Sequence, residues 1–169
     1  KQVAVCYDLV AQCYIGLKYF KAATDSYFDA LETLNQAFDS DLADAIVSHL
    51  ADVCYAVVEE AEFEQYVDYI TTRCAKQFGE DHPYLARMNL YIGNIFYNLS
   101  DYSRAIDLYT KATADEDLII DSKYINIGVV HYLIGQCYYN LKEYNKALLC
   151  YKKALEVYEA VSPTDDGSI

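Results

Sequence analysis

Four carboxamides fall in two matched pairs, Asn94 with Gln136 and Asn98 with Asn140, each pair forty-two residues apart. Tyr97 and Tyr139 stand beside them at the same separation. A carboxamide offers two N–H donors and a carbonyl acceptor, so it can pair with a peptide backbone without reading the side chains. A neighbouring tyrosine can grip an apolar side chain while keeping a polar tip. These six residues suit recognition of a peptide by hydrogen bonding. Covalent chemistry has less support. The carboxylate runs Glu59-Glu60 and Asp115-Glu116-Asp117 are contiguous, and adjacent residues on a helix point in different directions. The phosphate-binding G-x-x-x-x-G-K-[ST], the G-x-S-x-G nucleophile turn, the H-E-x-x-H metal helix and the dinucleotide glycine run do not occur. His49, His82 and His131 are scattered, and Cys6, Cys13, Cys54, Cys74, Cys137 and Cys150 include no C-x-x-C. Such spacing suits free, buried thiols in a reducing compartment better than a disulfide framework or a zinc site. The reading is non-catalytic, with no metal and no cofactor.

The elements that must position these residues are written as a repeat. A small residue (Ala11, Gly93, Gly135) is followed three later by an aromatic (Tyr14, Phe96, Tyr138). Twelve after the small residue comes an alanine (Ala23, Ala105, Ala147), then Tyr27, Tyr109 and Tyr151, then Ala30, Ala112 and Ala154. Spacings of three, four and seven mark one face of a helix. Each unit therefore carries two helices joined by a short polar turn, such as Gly16-Leu17-Lys18, Leu99-Ser100-Asp101 or Leu141-Lys142-Glu143, which makes them antiparallel neighbours. Glycine inside a helix costs about 1 kcal/mol relative to alanine. Gly93 and Gly135 make sense where helices approach closely. The spacing predicts an all-α superhelix of about four helix pairs over residues 1–161, with units near 3–38, 41–78, 83–117 and 121–160 and a flexible tail at 162–169. The second unit is irregular. Its register fits only if three residues are inserted, pairing Glu62-Phe63 with Glu143-Tyr144, and Tyr66 then falls where alanine is expected.

The order small–x–x–aromatic, then Ala, Tyr and Ala, resembles the tetratricopeptide repeat. The period near forty is longer than that family's usual unit and is similar to kinesin light chain repeats. Phe78-Gly79-Glu80-Asp81-His82-Pro83 resembles their G-x-D-H-P link, where Gly79 ends one helix, Asp81 or His82 caps the next and Pro83 opens it. The resemblance implies a concave groove lined by the first helix of each unit. Its groove positions map onto Val129, Tyr132, Gln136, Tyr139 and Asn140 in the fourth unit and Arg87, Leu90, Asn94, Tyr97 and Asn98 in the third. In the second they are Ala45, Ser48, Asp52, Tyr55 and Ala56, and in the first Val5, Asp8, Gln12, Ile15 and Gly16. Arg87 is the one cation in this set, so a C-terminal carboxylate ligand is not expected. Kinesin light chains have an asparagine pair where this chain has Leu90-Tyr91, so their cargo preference is not implied. His131 occupies a position where the family has a bulky aromatic, which implies a core role.

The net charge of −13 opposes nucleic acid and anionic membranes. No apolar run approaches the ~18 residues that a membrane-spanning helix needs. A partner, on this reading, is a protein or peptide, basic or amphipathic, met in the cytoplasm. The chain opens on Lys1 rather than Met and reads as a piece of a larger adaptor or scaffold. Two alternatives remain open. One is the C-terminal helical domain of a SET–MYND-type lysine methyltransferase. The other is a self-associating scaffold, for which the nineteen tyrosines exceed the needs of packing.

Overall fold

The computed structural model describes residues 1–37, 40–57, 63–113 and 126–161, with only the backbone given at 36, 37, 40 and 161. Eight helices and no strand occur among them: α1 (Gln2–Gly16), α2 (Phe20–Ala37), α3 (Ser40–Ala56), α4 (Phe63–Phe78), α5 (Pro83–Asn98), α6 (Tyr102–Ala112), α7 (Ile127–Asn140) and α8 (Tyr144–Val161). They form two compact units, residues 1–92 and 93–169. The tail at 162–169, Asp39, Glu59-Glu60, Glu62 and Asp115-Glu116-Asp117 lie outside the described residues. The inserted register around Phe63 has a structural counterpart. The helices α2, α4, α6 and α8 each open on an aromatic: Phe20, Phe63, Tyr102 and Tyr144.

Three helix-to-helix turns are built alike. Leu17, Leu99 and Leu141 follow their helices, and the next residue turns left-handed: Lys18 at φ 61°, Ser100 at φ 62° and Lys142 at φ 62°. Each turn closes with two backbone bonds. Lys18 N–H donates to the Ile15 carbonyl and Tyr19 N–H to Tyr14; the pairs Ser100 to Tyr97 with Asp101 to Phe96, and Lys142 to Tyr139 with Glu143 to Tyr138, repeat the pattern. This is the Schellman closure, here without its usual glycine. Glycine does serve at the α4–α5 link, where Gly79 has φ +112°. There His82 is the cap: its Nδ1 accepts from Tyr84 N–H at 3.2 Å, and its Nε2 meets Asn35 Oδ1 at 3.2 Å. The ring lies between Phe78 and Tyr84. Asp101 caps α6 by accepting from Arg104 N–H, and Asn126 caps α7 by accepting from the amides of Gly128 and Val129.

In the first unit, α1 packs on α2 and α2 on α3. Its core holds Tyr27, Phe28, Leu31, Leu34, Ile46, Leu50, Ile70, Met88 and Ile92, all fully buried. Phe28 stacks on Phe78 at 6.3 Å, and the Arg73 guanidinium, held by Asp25, lies 4.4 Å from the centre of the Phe28 ring. Tyr66, at the position where the repeat calls for alanine, reaches α2: its hydroxyl donates to the Phe20 carbonyl at 2.9 Å and meets Thr24. In the second unit, α7 packs on α6 and α8, with Val130, Cys137 and the alanines 105, 112, 147 and 154 buried between them. His131 is half-buried.

The thiols are free, but not all are buried as their spacing suggests. Cys54, Cys74 and Cys137 are buried, Cys150 is half-buried, and Cys6 and Cys13 are exposed. Cys13 and Cys137 share a repeat position. Cys137 faces the α6 side of its helix pair, whereas no described residue covers the corresponding face of α1.

The glycines mark ring-to-backbone contacts. A Cβ on Gly93 would stand 2.6 Å from the Tyr109 ring, and one on Gly135 2.7 Å from the Tyr151 ring. Tyr109 is fully buried, whereas Tyr151 is half-exposed and has room to move. Overpacking costs about 1–3 kcal/mol, against a gain of about 1 kcal/mol in helix propensity. Gly93→Ala is therefore expected to destabilise the chain by about 1–2 kcal/mol, and Gly135→Ala to be close to neutral, both read by urea denaturation. His82 yields a second prediction. Burial holds its pKa below the ordinary 6.5, so the fold favours the neutral ring whose Nδ1 caps α5. That contribution is present above the unfolded value and is lost as pH falls through 6.5 and then through the depressed folded value. Stability should decline as pH falls below about 7, and in His82→Asn, which keeps a cap but does not titrate, the decline should be shallower.

Candidate functional site

The matched polar residues of the second unit come together on the end of α5 and along α7. Asn140 Nδ2 donates to Tyr97 Oη at 3.3 Å and to the Gln136 carbonyl at 2.9 Å. Gln136 Nε2 donates to Tyr132 Oη at 2.7 Å. Two side-chain pairs, Tyr97 with Asn140 and Gln136 with Tyr132, thus form a ladder from α5 to α7, joined through the main-chain carbonyl of Gln136. The two tyrosines at the helix ends are held by the aromatics that open the next helices, Tyr97 edge-on to Tyr102 and Tyr139 edge-on to Tyr144, each at 5.5 Å. Asn98, Asn140, Tyr132 and Tyr139 are exposed, Tyr139 at 58%.

Other members of the anticipated set lie elsewhere. Asn94 faces inward: its Oδ1 accepts from the Tyr109 hydroxyl at 2.7 Å, fixing the ring that fills the space beside Gly93. Arg87 and Leu90 belong to the first unit. Leu90 is half-buried, and Arg87 is 6% exposed with its guanidinium on Asp44, which also accepts from Tyr91 Oη at 3.2 Å. The one cation of the mapped set is thus withdrawn from solvent, and the exposed members of the second unit are all neutral.

Sequence reading misses a polar cluster in the first unit. Asp8 on α1 meets His49 Nδ1 on α3 at 2.8 Å and accepts from Gln12 at 3.1 Å. The Tyr27 ring lies 6.2 Å from His49. Its hydroxyl is buried with no hydrogen-bond partner among the described residues, although Tyr109, at the same repeat position, has Asn94. Burial, with Asp8 and Asp52 adding to it, pushes the Tyr27 phenol far up. Asp8 and Gln12 are both on the mapped face; their partner His49 has no spacing relation to them that a sequence shows.

For reaction chemistry the described residues offer little. Burial pushes the thiols of Cys54 and Cys74 up to about 12 and of Cys137 to about 11, which keeps them protonated and poorly nucleophilic. No group of three or more His, Cys, Asp or Glu among the described residues is placed to hold a metal ion. No helix among them is long and apolar enough to cross a membrane.

Paired helices, repeated caps and tyrosines packed on glycines define a helical-repeat fold of the tetratricopeptide-like class. Residues 126–160 match the family model of the tetratricopeptide repeat itself, a segment that spans most of the α7–α8 pair. Among solved structures, BtubC (BKLC) from P. vanneervenii is similar over 98% of this chain and 69% of its own, at 19% identity and a TM-score of 0.63. A Podosopora anserina protein assigned as a kinesin light chain, with nearly identical TPR-like repeats, is similar over 94% of this chain and 76% of its own, at 12% identity and a TM-score of 0.57. No curated protein matches the sequence. The fold is thus that of tetratricopeptide-like repeats, and the repeat matched at 126–160 is of a family generally used for protein–protein interaction and typically not for catalysis.

The two equivalent tyrosines provide a paired test of the ladder's foundation. Losing a satisfied hydrogen bond costs about 1 kcal/mol, while losing a buried unsatisfied hydroxyl costs nothing or stabilises. Tyr109→Phe is expected to destabilise by about 1 kcal/mol and Tyr27→Phe to be neutral or stabilising, measured by chemical denaturation.

Proposed function

We propose that this chain is a non-catalytic interaction module that holds a peptide segment along the face carrying Asn98, Tyr132, Gln136, Tyr139 and Asn140. The observation that supports this is the braced ladder from Tyr97 to Tyr132. Side chains already held by one another lose less freedom on binding, so more of each new hydrogen bond is retained as affinity. Tyr97 and Asn94 act as braces, the first for Asn140 and the second for Tyr109. Asn98 and the Tyr139 ring face solvent and would make the contacts. Peptide backbone is the natural complement of exposed carboxamides, and tyrosine faces accept apolar side chains. Arg87, buried on Asp44, has no part in this reading. The acidic balance of the chain favours a basic or amphipathic partner, and an adaptor or scaffold role within a larger assembly follows. The buried thiols suit a reducing compartment.

The test uses a displayed peptide library to select a ligand, whose affinity is then measured by fluorescence anisotropy. The double variant Asn98→Ala, Tyr139→Ala is expected to keep its stability within ~0.5 kcal/mol, as exposed substitutions do, and to bind the selected peptide about tenfold or more weakly. Undiminished affinity in the folded variant would remove the site from this face.

A further inference from the structure

The cluster around Asp8 keeps hydrogen-bond acceptors in reserve. Asp8 has both oxygens engaged, Oδ1 by His49 Nδ1 at 2.8 Å and Oδ2 by Gln12 Nε2 at 3.1 Å. An ionised carboxylate only accepts, so His49 Nδ1 carries the hydrogen of this bond, and the neutral ring keeps a lone pair at Nε2. His49 and Asp52 are three residues apart on α3, hence neighbours on one face of the helix. Neither His49 Nε2 nor the Asp52 carboxylate has a hydrogen-bond partner among the described residues. Asp52 is exposed, yet partial burial of its carboxyl holds it above the ordinary 3.8 in spite of the nearby His49. That is the condition of a charge that has lost water and gained no bond in exchange. Tyr55, three residues further along α3, is 58% exposed. Tyr27 supplies an independent observation. Its hydroxyl is fully buried, has no hydrogen-bond partner among the described residues, and lies in the field of both Asp8 and Asp52. In the second unit the amide at this place, Asn94, satisfies Tyr109; Gln12, its counterpart, is turned to Asp8 instead. A buried hydroxyl without an acceptor lowers stability. The first unit thus forgoes a bond at Tyr27 and holds Asp8 and His49 in an accepting arrangement.

We infer that His49 and Asp52 receive the ammonium group of a lysine side chain from a partner protein, with Asp8 positioning the His49 ring and the Tyr55 ring covering the methylene stem. An ammonium brings three N–H donors and no acceptor, and the two groups that meet it bring acceptors. Asp52 gains the opposite charge it lacks, and His49 Nε2 gains a donor. An anionic side chain would find neither, and Asp52 would repel it. A tyrosine face suits an alkyl stem that leads to a charged head. The exposed members of the site, Asp52 and Tyr55, are both on α3, and all of it lies within residues 1–92. It shares no residue with the face of Asn98 and Tyr139, so it stands independently of the peptide-binding reading.

An NMR titration of the full chain with the capped peptide Ala-Ala-Lys-Ala-Ala tests it. Saturable shifts are expected at the amides of His49, Asp52 and Tyr55. The same peptide with norleucine for lysine keeps the stem and loses the charge, and one with trimethyllysine keeps the charge and loses every N–H. Each is expected to bind about tenfold or more weakly. Asp52→Asn is an exposed substitution that removes one of twenty-six acidic residues, so the general attraction of the chain for cations is nearly unchanged. It should keep the wild-type spectrum away from the site and weaken the lysine peptide about tenfold. The ring-nitrogen shifts of His49 should place the hydrogen on Nδ1, and Asp8→Asn, which can turn an N–H toward the ring, should move it to Nε2. A lysine peptide that leaves these amides unmoved overturns the inference. So does equal binding of the norleucine or the trimethyllysine peptide, undiminished binding by Asp52→Asn, or a wild-type ring with its hydrogen on Nε2.

Discussion

The close contact between a tyrosine ring and a bare helix backbone governs much else in the second unit. At Gly93 a methyl group would run into the fully buried Tyr109 ring, and at Gly135 into the half-exposed Tyr151 ring, which would have to shift. Ring and backbone at that range set how near α6 comes to α5 and α8 to α7, and so where the outer edges of α5 and α7 present their side chains. The contact also fixes the Tyr109 hydroxyl, and with it the role of Asn94, which becomes a brace rather than a surface group. What is left at the surface is the ladder of Tyr97, Asn140, Gln136 and Tyr132, orderly because the helices beneath it are held at one separation.

The first unit solves the same problem with different residues. Ala11 stands where the second unit has glycine, and Tyr27 occupies the ring position with no acceptor for its hydroxyl among the described residues. Gln12 is in the place of Asn94 yet serves Asp8, which in turn serves His49. The first unit thus keeps an Asp8–His49–Gln12 hydrogen-bonded cluster where the second keeps a neutral amide. Two units of one fold therefore present different chemistry from equivalent positions.

The helix pairs are legible in the sequence because their signal is local and repeated. Alanines and tyrosines at three, four and seven residues fix a helix face, and glycines inside such a pattern point to close approach on their own. The insertion in the second unit is legible too, through Phe63, because an aromatic opens each of α2, α4, α6 and α8. The site is legible in part. The pairing of Asn140 with Tyr97 follows from positions the repeat brings side by side, and both are in the anticipated set. The burial of Arg87 is not legible, because it depends on Asp44, a partner on another helix that no spacing indicates. The exposure of Cys6 and Cys13 escapes for a related reason: periodicity tells which way a residue points, not whether something lies over it. Asp81 and His82 are equal candidates for the α5 cap in the sequence, and only the Nδ1 geometry separates them.

Lys18, Ser100 and Lys142 hold a left-handed backbone that residues with a Cβ adopt at some cost. Three equivalent turns have each been closed by the hydrogen-bond pattern rather than by the amino acid most comfortable there. Shape at these corners therefore follows from the hydrogen-bond pattern, with lysine at two of them and serine at the third. A search for glycine would miss every one of them, and a chain built this way sits below the stability that its own scaffold permits.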